Sequence, residues 1–248
     1  MLRSDLAAAF MLLTRLPVRT SGAAPDMARC VWAFPVVGLV VNLAAGGVYW
    51  LGTKAGMPPL LAAVWTVAAA LALTGAFHED GLADTADGFG GGGTRERKLE
   101  IMRDSRIGSF GALALLLSVI VRVAAIAALV RPWVVVVWLV AAGMLGRSFM
   151  VLPMMVVRPA RADGMGASMG RLRVGPAAVG LAMAVAASFA LLPVRPAAAA
   201  VLLSLAVSLG VARLAAVQIG GYTGDVLGAC EVVIECAVLT AATVALGG

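Results

Sequence analysis

Apolar residues fall in seven long runs, about 30–52, 58–77, 107–130, 133–157, 174–192, 197–219 and 226–246. Each reaches or approaches the ~20 residues that a helix needs to cross ~30 Å of hydrocarbon. The breaks lie where proline and glycine collect: Gly56-Met57-Pro58-Pro59, Arg131-Pro132 and Pro193-Val194-Arg195-Pro196. Ahead of the runs, Leu2, Leu6, Phe10 and Leu13 recur at helical spacing with Arg3, Asp5 and Arg15 between them, before a linker bounded by Pro17 and Pro25. That pattern predicts an amphipathic helix lying in the membrane interface over 1–19. Asp5 near the start, and Arg15 directly after a short apolar core, argue against a secretory signal. The expected fold class is all-α, a polytopic integral membrane protein of about seven transmembrane helices plus the N-terminal interfacial helix, with 1–248 as one membrane-embedded domain.

Composition agrees. Of 248 residues, 62% are hydrophobic and 13% charged, whereas a soluble domain carries roughly 25% charge. The net charge of +6 raises nucleic acid as a partner, but the basic residues stand at the ends of apolar runs, where they orient spans. Counted on alternating sides, thirteen fall on one (Arg3, Arg15, Arg19, Arg29, Arg95, Arg97, Lys98, Arg103, Arg106, Arg158, Arg161, Arg171, Arg173) and three on the other (Lys54, Arg131, Arg195). This asymmetry assigns the N-terminus and the segments near 78–106, 158–173 and 220–225 to the cytoplasm. The bilayer is the expected partner and nucleic acid is not; a homo-oligomer stays open. Cys30, Cys230 and Cys236 show no paired metal spacing. Arg122, Arg147 and Arg213 fall inside spans, where a charge costs roughly 2.5–3.5 kcal/mol. Arg147 and Arg213 either snorkel or reach the polar segments; Arg122 lies deeper and either snorkels to the far side or pairs with a carboxylate.

Against this background, residues 77–111 hold seven of the thirteen acidic residues (Glu79, Asp80, Asp84, Asp87, Glu96, Glu100, Asp104) and the only histidine, His78. The region 78–111 is the expected active-site loop. Asp80, Asp84 and Asp87 are spaced i, i+4 and i+7, so a helix stacks three carboxylates on one face. Like charges so placed repel unless a cation sits among them. Oxygen-only ligands suit Mg²⁺, which binds through a few carboxylates plus substrate phosphates. A solvated acidic turn is the plainer alternative, but Gly81, Leu82, Ala83, Ala86 and Gly88 make a compact helix that packs. His78 can serve as proton acceptor, ligand or hydrogen-bonded structural residue. One histidine without a neighbouring cysteine falls short of a zinc set.

Two further polar islands follow. Ile101 to Gly111 abuts the third span, so Ser105, Gly108 and Ser109 sit near a helix N-terminus. Backbone N–H groups there, with Arg103 and Arg106, suit an anion such as a diphosphate. The Gly90–Gly93 run lacks a Walker lysine and is not a P-loop. Gly220 to Ala229 contains Thr223-Gly224-Asp225 opening the last span, with Glu231 and Glu235 one turn apart inside it. Asp225 is either an N-cap or a site residue; ionisable groups within a span are functional candidates. Arg158 to Arg173 carries Asp163-Gly164-Met165-Gly166 among four arginines, a candidate lid over a phosphate.

In their order, these islands resemble cobalamin synthase, the adenosylcobinamide-GDP ribazoletransferase family. The resemblance covers nearly the whole chain: Leu13 to Val18, Phe34 to Leu39, His78 to Gly88, Ile101 to Gly111 and Gly221 to Glu235. Glu79 departs from the apolar residue usual in the family, and Glu231 does not align with a family glutamate, whereas Glu235 does. The resemblance implies a Mg²⁺-dependent transferase of the bacterial inner membrane. It would join adenosylcobinamide-GDP to α-ribazole or its 5′-phosphate, releasing GMP. The implied catalytic residues are His78, Asp84 and Asp87. Phosphate and substrate would be held by Arg103, Asp104, Ser105, Arg106, Arg158, Thr223 and Asp225, and the metal by Asp80, Asp84, Asp87, Asp225 and Glu235.

The nearest rival is a CDP-alcohol phosphotransferase of phospholipid synthesis. Asp84-Thr85-Ala86-Asp87-Gly88 matches the opening of that motif, but no Ala-Arg follows at the expected distance and the later aspartate pair is missing. A cation transporter would place its acids near the bilayer midplane, whereas these gather at one surface.

Overall fold

The computed structural model describes residues 2–19, 26–163 and 172–247. All of its regular elements are helices: α1 (Leu2–Leu13), α2 (Met27–Cys30), α3 (Phe34–Lys54), α4 (Pro59–Thr74), α5 (Phe77–Gly91), α6 (Arg95–Ile101), α7 (Ser109–Leu129), α8 (Pro132–Phe149), α9 (Leu152–Val156), α10 (Val174–Leu191), α11 (Val194–Ile219) and α12 (Gly224–Gly247). The one β-bridge among the described residues ties Pro159 to Tyr222.

Proline sets the punctuation. Pro35 sits in the first turn of α3, so α2 passes into α3 through a 3₁₀ step at Val31–Ala33, making one span over Met27–Lys54. Pro59 and Pro132 stand at the first positions of α4 and α8, where a missing N–H costs nothing. Pro153 interrupts the helix between α8 and α9.

Six of these segments are long and apolar enough to cross a bilayer: Met27–Lys54, Ser109–Leu129, Pro132–Val156, Val174–Leu191, Val194–Ile219 and Gly224–Ala245. A seventh is reached when α4 and α5, which meet at a 91° bend, are counted together as one broken span. These are the seven apolar runs of the sequence. Helix α8 is the centre, buried continuously from Val135 to Phe149, and its most extensive partner is α3. By contrast, α7, α10 and α11 turn Leu113, Leu116, Ile120, Val179, Leu202 and Leu209 outward. An apolar surface of that extent belongs against lipid, and the chain is a multi-pass membrane protein. Helix α1 is one-sided, burying Ala8, Ala9 and Leu13 while Leu2 and Met11 stay exposed. Its Asp5 accepts from Arg29 at 2.7 Å and from the Trp32 indole at 3.3 Å. Burial works against the Asp5 charge, but these hydrogen bonds outweigh it and hold the carboxyl below its ordinary range.

Candidate active site

The chain leaves α4 through two left-handed residues, Gly75 (φ 66°) and Ala76 (φ 54°), which produce the bend into α5. The expected loop over 78–111 is thus mostly helix, α5 and α6, with irregular backbone at 92–94 and 102–108. Helix α5 sits directly on the start of α12. A Cβ added to Gly81 would stand 2.7 Å from the Asp225 carbonyl oxygen, so only glycine permits this approach.

From that position Asp80 and Asp84, one turn apart, line a cavity of about 530 Å³. Arg15, Glu79, Arg103, Asp104, Ser105 and Arg106 share its walls. Asp84 is half-buried, within electrostatic reach of Asp80, Asp225 and Asp87 and of one guanidinium, Arg161. On the rim, the Arg106 side chain and backbone N–H both donate to Asp104, the side chain at 2.7 Å, and hold its carboxyl down at about 2. Arg103 donates to Asp163 at 2.6 Å.

The remaining sequence-predicted residues have other company. Asp87 spends both oxygens on the N-terminus of α7, accepting from Gly108 N–H at 2.7 Å and Gly111 N–H at 2.8 Å. The anion-binding position expected there is filled by the chain's own carboxylate. Thr223 caps α12 by accepting from Val226 N–H, and its hydroxyl lies 3.1 Å from Asp225. Asp225 is therefore free of the capping task and pairs with Arg161 at 3.2 Å. The exposed Arg158 is fixed through its carbonyl, which accepts from Tyr222 N–H at 3.0 Å, while Ala160 N–H donates to Tyr222 at 2.8 Å. Arg95 bonds the Ile219 carbonyl and the Ala160 carbonyl, each at 2.7 Å. Together these contacts draw all three polar islands to one end of the bundle. The segment Gly164-Met165-Gly166, and Arg171 beyond it, lie outside the described residues.

His78 and Glu235 are elsewhere again, in a charged network sealed among the helices. Arg122 binds Glu79 at 2.7 Å and lies 3.6 Å from Glu235. Arg147 stands between Glu231 at 2.9 Å and Glu235 at 3.3 Å, and His78 Nδ1 is 3.5 Å from Glu231. Asn42 donates to Glu235 at 3.4 Å. His78 is only 2% exposed, and neither it nor Glu235 lines the cavity. Of the deep arginines, Arg122 thus takes the carboxylate rather than snorkelling, and Arg213 is exposed.

Comparison with known proteins decides what kind of site this is. The profile of the family described as cobalamin-5-phosphate synthase matches residues 5–243. The chain belongs to the cobalamin-5-phosphate synthase family. An adenosylcobinamide-GDP ribazoletransferase of Bradyrhizobium diazoefficiens is 48% identical over 241 residues, covering 96% of this chain and 93% of the relative. Ribazoletransferases of the same description from Azorhizobium caulinodans and Mesorhizobium japonicum are 42% and 40% identical, covering 95% and 98% of this chain and 94% and 93% of the relatives. No solved structure matches the chain. Membership makes the chain a transferase of cobalamin synthesis.

For a cobalamin-5-phosphate synthase, the donor set at the cavity is informative. Among the described residues no three His, Cys, Asp or Glu side chains converge to enclose a cation by themselves. Asp80 and Asp84 face the cavity and offer only oxygens, which fits a magnesium ion held by one or two carboxylates plus substrate phosphates. Asp225 stands beside them on Arg161, whereas Asp87 and Glu235 are committed to a helix N-terminus and to buried arginines. Sequence reasoning missed Arg161 as the counter-charge of Asp225 and Glu79 as the partner of Arg122. The signal for the second was present: an unexplained arginine deep in a span demands a carboxylate.

Proposed function

We propose that this chain joins adenosylcobinamide-GDP to α-ribazole or α-ribazole 5′-phosphate, releasing GMP. The observation that carries the reading is the cavity itself, in which Asp80 and Asp84, neither ion-paired among the described residues, face three arginines at the polar end of the bundle. Its volume of about 530 Å³ falls within the roughly 300–1,000 Å³ usual for small-molecule sites, and suits the nucleotide-diphosphate end of the donor. The ribazole hydroxyl oxygen forms a bond to the phosphorus nearer the cobinamide. The bond from that phosphorus to the bridging oxygen breaks, and GMP departs with the electron pair.

Asp80 and Asp84 would hold Mg²⁺, with Asp225 as the neighbouring third carboxylate. When bound, the ion supplies charge neutralisation on the diphosphate and the leaving oxygen. Arg103 and Arg106 orient the phosphates through charge-assisted hydrogen bonds, and Ser105 adds a hydroxyl on the same wall. The hydroxyl proton goes to a carboxylate of the cavity, Asp80 or Asp84, because His78 is buried on α5 beside Glu231 and does not line the cavity. Basic residues crowd the polar end, an asymmetry that supports a cytoplasmic site on a bundle in the bacterial inner membrane.

The direct test uses detergent-purified protein with Mg²⁺, adenosylcobinamide-GDP and α-ribazole. GMP should appear in equal amount to the new corrinoid. A preparation that releases no GMP, or that turns over CDP-diacylglycerol instead, would overturn the assignment.

A further inference from the structure

The cavity holds three arginines, and two of them are already partnered: Arg103 by Asp163 and Arg106 by Asp104. The third, Arg15, comes from the far end of the chain and has no carboxylate partner among the described residues. Its placement is not casual. Thr14 closes α1 by donating its hydroxyl to the Phe10 carbonyl at 2.7 Å and accepts from Leu16 N–H at 3.2 Å. The Arg15 N–H then donates to the Leu73 carbonyl at 2.8 Å, docking the N-terminal segment on the last turn of α4. From there the side chain runs across Gly75, where a Cβ would collide with its Nε and stand 2.8 Å from its Cγ. A glycine at the left-handed corner between α4 and α5 thus supplies both the bend and the channel through which Arg15 reaches the cavity.

We propose that Arg15 is a substrate-binding residue that grips a phosphate oxygen of the nucleotide diphosphate. Three observations converge on this role. Arg15 lines the same cavity as Asp80 and Asp84, it has no protein anion among the described residues, and its approach is built by two separate backbone features. A planar guanidinium matches phosphate geometry with paired N–H donors in a way that an ammonium does not. An arginine serving only to orient the chain needs the bilayer surface and no such seat. The N-terminal segment therefore contributes to binding as well as anchoring.

This inference rests on the diphosphate-transfer reading above, and its test keeps the two apart. Binding of inorganic pyrophosphate in the presence of Mg²⁺ is measured by calorimetry on the full-length protein in detergent, alongside turnover with adenosylcobinamide-GDP. Arg15→Ala should weaken pyrophosphate binding and raise KM for the nucleotide substrate at least tenfold, with KM for α-ribazole unchanged. Arg15→Lys should recover part of the loss, and it keeps the test decisive if the alanine variant inserts poorly. Arg19→Ala, which removes an equivalent surface charge, should behave as wild type. Wild-type pyrophosphate affinity in both Arg15 variants, or an equal loss in Arg19→Ala, overturns the proposal. If wild type releases no GMP yet Arg15→Ala still loses pyrophosphate, the anion site stands and the transfer reading fails.

Discussion

Glu79 and Asp80 are adjacent in sequence and belong to two different electrostatic regions. Glu79 reaches the cavity wall but is buried and bound to Arg122 in the network that continues through Glu235, Arg147 and Glu231 to His78. Asp80 is exposed and shares the cavity with Asp84. Advancing one residue along a helix rotates the side chain by about 100°, enough to exchange a low-dielectric interior for water. Inside, each ion loses several kcal/mol of hydration and persists only with a partner. In the cavity, exposed Asp80 keeps its hydration without one, and half-buried Asp84 has no ion-pair partner among the described residues, so both remain available to a cation or a substrate. Acidic residues in a membrane chain therefore divide by partner, and the unpartnered ones mark the chemistry.

The comparison breaks first at Asp84. Asp84→Asn keeps the shape and removes the charge, so turnover should fall at least about 100- to 1,000-fold, the loss typical of a deleted electrostatic contact to the reacting groups. The unfolding midpoint in detergent should hardly move. EDTA should act the same way on wild type, stopping GMP release without unfolding the protein. An Asp84→Asn variant within tenfold of wild type would remove the carboxylates from the mechanism.

Arg122 tests the other region. Arg122→Ala leaves Glu79 buried and uncompensated, a change that costs about 3–5 kcal/mol in comparable buried pairs. Replacing both partners, as in Glu79→Leu with Arg122→Met, should recover most of that stability, because the apolar pair needs no hydration in exchange. The measurement is the unfolding midpoint of each purified variant. If Arg122→Ala alone were as stable as wild type, the network would be wet, and the division between regions would lose its basis.

Sequence legibility follows the same divide. The seven spans could be read because hydrocarbon thickness imposes a length and proline marks the ends: Pro132 opens α8 as the Arg131-Pro132 break implies. The pairing of Asp80 with Asp84 could be read because helical spacing is local. Asp87 has the same spacing, yet its carboxylate is taken by Gly108 and Gly111, and no local pattern shows where the next helix begins in space. Glu235 looked like a ligand because charge in a span signals function. Its partners Arg122 and Arg147 lie more than eighty residues away in the chain, beyond the reach of spacing arguments. Arg15 was counted only as a topology charge because its route over Gly75 exists only after folding.

The smallest expected effect sharpens the contrast most. Arg103 and Asp163 form an ion pair as short as any in the buried network, at 2.6 Å, but their side chains are 54% and 68% exposed. Water already solvates both ions and ionic strength screens them, so such pairs are worth about 0–1 kcal/mol. Asp163→Ala should therefore shift the unfolding midpoint by no more than that value implies. The same weakness gives the pair its use, because Arg103 must leave Asp163 before it can donate to a phosphate. With the competitor gone, KM for adenosylcobinamide-GDP should fall by a few-fold while kcat stays level. A destabilisation matching that of Arg122→Ala would mean that length, not burial, sets the strength of these pairs, and an unchanged KM would mean that Arg103 never turns toward the substrate.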